Sequence, residues 1–316
     1  MIRVIGANPA MDRISTWPPL RLGGVNRAGE VTVVPGGKGF NVARAVVRLG
    51  HTPSAHGFLG GPVGEALREM ITAEGVLDRH TSIAAATRVC FIVVEPDPGR
   101  STVLNEPGPV VTEAEVSAFT EALRGDVQAG DLLLVSGSLP DSVSTSLVAE
   151  LIAIGRAAGA RTVVDIHSEA LRVAFASHPW CLKCNSSELL ELLGEDAIED
   201  RPSVPGLVRA MQAVLGHGIE HVVVTLGAEG ALVADAEGVV HARVPAIEEV
   251  NATGSGDLLL AGLAVAIEEG ARPREAIVLG AACGTAGATH LAPELPPAFD
   301  RGGWAERIIV DTILET

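Results

Sequence analysis

The chain has 316 residues, 47% of them hydrophobic but only 3% aromatic, and carries a formal net charge of −16. That length supplies a large core in one compact α/β body. With no run of Lys and Arg to offset the acidic balance, the composition speaks against a nucleic-acid or acidic-membrane partner, so an anionic ligand must be held by local cations and amides. The opening Met1-Ile2-Arg3-Val4-Ile5-Gly6 reaches a polar turn too soon for a signal peptide, and no apolar run is long enough to span a bilayer, which points to the cytoplasm. The cysteines, Cys90, Cys181, Cys184 and Cys283, are too few and scattered for a disulfide framework. Cys181 and Cys184 form a CxxC at the end of an expected strand, where their odd spacing sends them to opposite faces and suits neither a shared metal nor a disulfide.

In chain order, a first strand is followed by short, partly alternating strands at Arg13 to Trp17 and Val25 to Val34, with a second pair at Thr87 to Val94 and Ser101 to Asn105. These interrupt the alternation of helix and strand and suggest a small sheet standing off the main body. Around them the pattern is βαβ: helix from about Phe40 to Leu49, strand Ser54 to Leu59, helices Gly64 to Glu74 and Thr112 to Leu123, strand Leu132 to Ser136. Helices near Thr145 to Ala158, Pro202 to Leu215, Gly256 to Glu269 and Pro273 to Thr289 then alternate with strands Thr162 to Asp165 and His221 to Thr225. Continuous apolar runs such as Leu132-Leu133-Leu134-Val135 are what strands buried on both faces of a parallel sheet need. The reading is a single α/β domain over residues 1–316, a doubly wound, mostly parallel sheet flanked by helices, with lid strands inserted at about 13–34 and 87–105.

Three segments carry chemistry. In Asn251-Ala252-Thr253-Gly254-Ser255-Gly256-Asp257, small residues precede an apolar helix, so several backbone N–H groups and the helix dipole converge on one spot. A carboxylate there fits a base: Asp257 takes a proton from a hydroxyl while the amides of Gly254, Ser255 and Gly256 hold the phosphoryl group it attacks. The alternative is an acid favoured by the first turn of its helix. Lys38 and Lys183 are the only lysines in a chain whose other fixed cations are arginine. Lys38 lies in Pro35-Gly36-Gly37-Lys38-Gly39-Phe40-Asn41, which lacks the spacing of a GxxxxGKS phosphate loop and reads either as a glycine turn or as a close approach to a ligand. In Lys183-Cys184-Asn185-Ser186-Ser187-Glu188, Asn185 and Glu188 have capping-box spacing, and they equally suit placement of a hydrated Mg²⁺ with nucleotide phosphates. Small polar residues also end buried strands at Ser136-Gly137-Ser138-Leu139-Pro140 and at Thr225-Leu226-Gly227-Ala228-Glu229-Gly230, the edge where open α/β sheets bind ligands.

Together with Asn8-Pro9-Ala10-Met11-Asp12, Val25-Asn26-Arg27, Thr87-Arg88 and Asn105-Glu106-Pro107-Gly108, these segments resemble, over nearly the whole chain, the ribokinase-like carbohydrate kinases of the phosphofructokinase B branch, which includes 1-phosphofructokinase and tagatose-6-phosphate kinase. The resemblance implies transfer of the γ-phosphoryl group of ATP to a hydroxyl of a sugar that already carries a phosphate, most specifically fructose 1-phosphate. Tagatose 6-phosphate and fructose 6-phosphate stay open as alternative substrates, since the segment Thr289 to Pro297 carries no diagnostic signature. The resemblance implies Asp257 as base; Asp12, Gly37 and Asn41 on sugar hydroxyls with Ser138 nearby; and Lys38 and Arg88, helped by Arg27, on the substrate's phosphate. It further implies Lys183 near the ATP phosphates, Asn185 and Glu188 organising Mg²⁺ through water, Thr225, Gly227 and Gly230 lining the nucleotide, and a homodimer formed through the lid. Cys184 stands where the family usually has proline, and Ile166-His167-Ser168 replaces a more usual Thr-Ser-Gly, a departure bearing on substrate or nucleotide fit. The rival readings are a kinase of an unphosphorylated sugar or nucleoside, which would leave Lys38 and Arg88 without an anion, a sensor that kept the fold, which the intact base argues against, and a nicotinamide oxidoreductase, which lacks its glycine fingerprint.

Overall fold

The apolar strands pair into a ten-stranded sheet in the computed structural model, which describes residues 1–95, 100–194 and 203–315. From one edge the strands run Ile309–Glu315, Gly238–Arg243, Ala231–Asp235, His221–Thr225, Cys181–Asn185, Arg161–Asp165, Leu132–Ser136, Ile2–Ile5, Ser54–His56 and Leu77–Asp78. The seven from His221–Thr225 onward are parallel, and the three at the other edge add on antiparallel. Ile2–Ile5 sits between Ser54–His56 and Leu132–Ser136, so the winding reverses beside its carboxyl end, where open sheets of this kind form a crevice.

Alternation along the strands feeds two separate cores. Leu132 and Leu134 join one face with the helices Lys38–Arg48, Ser255–Glu268 and Pro273–Gly287, while Leu133 and Val135 join the other with Ser146–Ala158 and Val204–Gly216. Cys181 belongs to the first core and Cys184 to the second, as their odd spacing predicts, and all four thiols are free and buried. The helix Ser255–Glu268 is apolar almost all round because it is buried almost all round, from Asp257 to Ile267. No helix among the described residues is long and apolar enough to cross a membrane.

Four short strands form the smaller sheet, in the order Val31–Gly36, Ala10–Thr16, Arg88–Glu95 and Arg100–Asn105. Ile14, Val34 and Ile92 make its own small core, closed underneath by Leu291 and Ala292. Several boundaries differ from the sequence reading. The strand expected from Val25 starts at Val31, because Asn26 folds the preceding segment into a turn, accepting from Arg21 N at 3.0 Å and donating to Arg21 O at 3.0 Å. The strand expected over Ser54 to Leu59 is two strands in different sheets. Gly57 divides them, its φ of 153° bringing its α-carbon so close to the Gly6 carbonyl that a side chain there would overlap the oxygen. The start expected at Pro202 lies outside the described residues, the helix being described over Val204–Gly216 with Ser203 as its cap. The helix Ser168–Ala176 and the antiparallel strands Ala231–Asp235, Gly238–Arg243 and Ile309–Glu315 add to the elements expected.

Candidate active site

The carboxyl edge of the parallel strands and the base of the small sheet face one another across a row of three cavities. Sheet register aligns Ser136 with Asp165, Asp165 with Lys183, and Asn185 with Thr225, so polar strand ends form one line. Opposite them, Asp12 comes from Ala10–Thr16, Arg88 opens Arg88–Glu95, and Val31–Gly36 runs through Gly37 into Lys38 and Asn41 on the first helix. The middle cavity, about 360 Å³, is lined by Asp12, Gly37, Lys38, Asn41, Arg88, Asp165, Lys183, Asn185, Glu188, Gly254, Gly256 and Asp257. A larger one of about 570 Å³ lies beyond it, among Thr225, Gly227, Gly230, Ser255 and the apolar residues of the Ser255–Glu268 and Pro273–Gly287 helices, and shares Thr225 and Gly256 with the middle one. On the other side a smaller cavity of about 170 Å³ shares Gly37, Lys38 and Arg88 and extends to Asn8, Ser136, Ser138 and His167.

Asp257 stands in the middle cavity, 4% exposed, in the first turn of its helix. Asn41 donates from Nδ2 to Asp257 Oδ2 at 2.9 Å. Burial, together with the negative charge of Asp165, pushes the Asp257 carboxyl up to about 6, against the pull of Lys38, Asn41 and Lys183. It is therefore ionised at neutral pH while holding a pKa suited to general-base chemistry. Gly254 precedes it in the left-handed region at φ 82°, with the Pro293 ring packed where a side chain would be. Burial also raises Asp12 to about 6, opposed by Arg88, by a backbone hydrogen bond from Gly37 and by Arg44.

Asp165 is the central residue that the sequence reading missed. It accepts from Lys183 Nζ at 2.8 Å on one oxygen and lies 3.6 Å from Lys38 Nζ on the other, so the chain's two lysines converge on one buried acid. The two ammonium groups hold its carboxyl below the usual range despite full burial. Its one sequence signal was its place, a lone acid closing the apolar strand Arg161–Asp165 at the ligand edge. Lys183 Nζ also lies close to Gly256, where an added Cβ would come within 3.5 Å of it.

Asn185 and Glu188 form a reciprocal capping box, Asn185 N donating to Glu188 at 2.8 Å and Glu188 N to Asn185 at 2.9 Å, while both still line the cavity. The structural and functional readings of that pair are thus compatible. Arg27 is not brought to the site within one chain: it stands exposed in the connection between two small-sheet strands, outside the three cavities, because the Asn26 turn projects that segment into solvent. Every other expected site residue lines at least one cavity. Asn8 and Ser136, within quoted motifs but given no role, also belong here. Asn8 donates from Nδ2 to Ser138 Oγ at 3.2 Å, orienting that hydroxyl.

Buried polar atoms without a partner gather at this edge. Of seven such side-chain atoms among the described residues, five line the three cavities, on Asn8, Asn41, Arg88, Ser136 and Ser255. Leaving such groups unpaired in a folded core is costly, and together they mark where polar ligand groups complete the site.

The sequence profile of the pfkB family carbohydrate kinases matches residues 2–296. The chain belongs to that family. Among relatives of this pfkB kinase, the 1-phosphofructokinase of Bacillus subtilis (strain 168) is 32% identical over 286 residues, covering 90% of this chain and 92% of that protein. The crystal structure of phosphofructokinase-2 from Escherichia coli in complex with fructose-6-phosphate is 28% identical, covers 91% of this chain and 93% of that one, and superposes with a TM-score of 0.85. A ribokinase from Thermotoga maritima shares the fold at 21% identity, with a TM-score of 0.76 over 97% of this chain and 99% of its own. As a pfkB kinase, this protein is a phosphotransferase whose acceptor is a hydroxyl group.

Proposed function

We propose that this pfkB kinase transfers the γ-phosphoryl group of ATP to a hydroxyl of a hexose phosphate, with fructose 1-phosphate as the substrate. The observation that carries the reading is the row of three cavities joined at shared residues. A nucleotide in the 570 Å³ cavity presents its terminal phosphate at Gly256, a sugar in the middle cavity presents a hydroxyl to Asp257, and the far end of that sugar reaches the third cavity past Lys38 and Arg88. A substrate bearing an anion at its far end fits a subsite with two cations. The likeness to a protein named 1-phosphofructokinase supports the choice of sugar phosphate.

In this reading Asp257, ionised at neutral pH, accepts the hydroxyl proton as the oxygen attacks, and the amides of Gly254, Ser255 and Gly256 hold the transferring phosphoryl oxygens. Asp12, the Gly37 backbone and Asn41 orient the sugar hydroxyls, with Ser138 toward the phosphate end. Lys183 lies against the anion hole, supporting contact with the phosphoryl group in transfer. Thr225, Gly227 and Gly230 line the nucleotide. Mg²⁺ would neutralise charge on the nucleotide phosphates, and the donors fit it: Glu188 keeps a second carboxylate oxygen beyond its cap contact, the carboxylate-plus-water set that Mg²⁺ accepts. The small sheet closes over the sugar and joins two copies into a homodimer.

Coupled measurement of ATP turnover against fructose 1-phosphate, fructose 6-phosphate, tagatose 6-phosphate, fructose and ribose tests the reading. Preference for fructose 1-phosphate supports it. Preference for fructose or ribose would overturn it in favour of a neutral-sugar kinase.

A further inference from the structure

The third cavity has a wall that the known roles leave unused. It is the turn Asp165-Ile166-His167-Ser168, sewn to the opposite strand end by Gly137 N donating to Asp165 O at 3.1 Å. His167 is exposed and lines that cavity together with Lys38, Arg88, Ser136 and Ser138. Ser168, directly after it, holds φ at 57°, one of two non-glycine residues with positive φ among those described. Such conformations are costly for a residue with a side chain, and they concentrate where function requires a particular placement. His167 occupies the N-cap of Ser168–Ala176, yet its side chain makes no capping hydrogen bond.

The two cations of this cavity are already partly engaged within the protein. Lys38 shares its charge with Asp165, and the Arg88 guanidinium donates one N–H from each of its two terminal nitrogens, to the carbonyls of Glu106 at 3.2 Å and Asn8 at 3.0 Å, while its Nε has no partner in the protein. In the two histidines deeper in the same cavity, burial disfavours the charged form. Burial holds His56 down at about 3 and also lowers His80, and one ring nitrogen of each is engaged, His56 Nε2 by Ser54 at 2.9 Å and His80 Nδ1 by Asp78 at 2.7 Å. Ser136 is 2% exposed, and its hydroxyl has no partner in the protein although it faces this space. A phosphate group brings three acceptor oxygens to such a place.

Resting on the sugar-phosphate reading above, we propose that His167 is a specificity-determining residue, its imidazole N–H donating to the phosphate the sugar carries, beside the hydroxyls of Ser136 and Ser138. The contact is made equally before and during transfer, so it acts on binding of the sugar phosphate and not on the chemical step.

Steady-state kinetics of the full-length enzyme with His167→Ala, His167→Gln and His167→Lys test this, using fructose 1-phosphate, fructose and ATP. Losing one hydrogen bond to the phosphate raises KM for fructose 1-phosphate about three- to tenfold in His167→Ala, with KM for ATP and kcat holding within about twofold. His167→Lys restores the lower KM through a fixed cation, and His167→Gln restores part of it through a neutral donor. An unchanged KM for fructose 1-phosphate in His167→Ala, beside a wild type that uses that substrate, overturns this proposal alone. So does a parallel rise in KM for ATP, which a general disturbance of the fold would cause. A wild type that phosphorylates fructose in preference to its phosphate ester overturns this proposal and the sugar-phosphate reading together.

Discussion

The burial that suits Asp257 to the proposed role of base also costs the fold stability. Its pKa, ordinarily 3.8, is raised to about 6 by burial, so the native state holds its proton more tightly than the unfolded chain does. The sign follows: well below pH 3.8 the group is neutral in both states and costs nothing, the penalty grows from there, and as pH rises through 6 it becomes full. Asp257→Asn should therefore change stability little near pH 3 and raise it above pH 6 by on the order of 1–3 kcal/mol, read from urea unfolding at the two pH values. The same variant should lose about 10² to 10⁴ in kcat while still binding ATP, since the amide keeps the shape but cannot take the proton. A variant with near wild-type kcat would remove Asp257 from the chemistry. Lys38→Ala and Arg88→Ala should each raise KM for the sugar phosphate about 10- to 100-fold and leave KM for ATP nearly unchanged, because both cations line the middle and smaller cavities and not the one proposed for the nucleotide. That Asp12, Asn41 and Asp257 would share one cavity was legible in sequence, Asp257 from the small residues before its helix and the other two from the motifs that carry the family resemblance. Asp165 was not, because its significance lies in Lys38 and Lys183 arriving from two other elements, which only the register of Arg161–Asp165 beside Cys181–Asn185 makes visible.

At the scale of elements, the anion hole proposed at Gly254, Ser255 and Gly256 would depend on how the helix Ser255–Glu268 is entered. Gly254 has a φ of 82°, and an added Cβ would come within 2.4 Å of the Pro293 ring, so the turn cannot accept a side chain without moving the amides that follow. Gly254→Ala should therefore lower kcat more than it lowers stability, a split visible when activity and thermal unfolding are measured on the same preparation. Pro293 follows Leu291 and Ala292, which close the small core of Ile14, Val34 and Ile92, and Asn251 donates to Leu291 O at 2.8 Å. The segment joining the small sheet to the anion hole is thus continuous in contact. Sequestering the phosphoryl group from water needs an element that closes, so hydrogen exchange in Ala10–Thr16 and Arg88–Glu95 should slow on addition of sugar phosphate while the central sheet stays unchanged. Equal exchange with and without substrate would count against closure. The parallel strands were legible because they are buried on both faces and read as unbroken apolar runs. The antiparallel edge was not. Ile309–Glu315 is largely exposed and mixes Asp311 and Thr312 with Ile309, Val310 and Ile313, a pattern whose period does not separate strand from helix.

For the whole molecule, the two faces of the small sheet pose different demands. Its inner face is closed by Ile14, Val34 and Ile92 over Leu291 and Ala292. The register places Arg13 opposite Val33 and Phe91, and Phe91 opposite Leu104, so these side chains share the other face, where Val33 is 38%, Phe91 40% and Leu104 54% exposed. Adjacent apolar side chains exposed on a sheet face mark a surface for association, and a second copy of the same face is the partner proposed for it. The acidic charge of −16 acts against this at long range, so association must rest on short-range apolar burial and should tighten as salt screens the repulsion. Light scattering coupled to size exclusion should give a dimer, and Phe91→Asp or Leu104→Asp should shift it to monomer by burying an unpaired charge at the interface. Arg27, exposed and outside the cavities of its own chain, adds a kinetic readout. If pairing of the sheets brings it to the neighbouring copy's site, Arg27→Ala and Phe91→Asp should raise KM for the sugar phosphate together, and combining them should add little. A monomeric wild type with full activity would refute both the dimer and any role for Arg27.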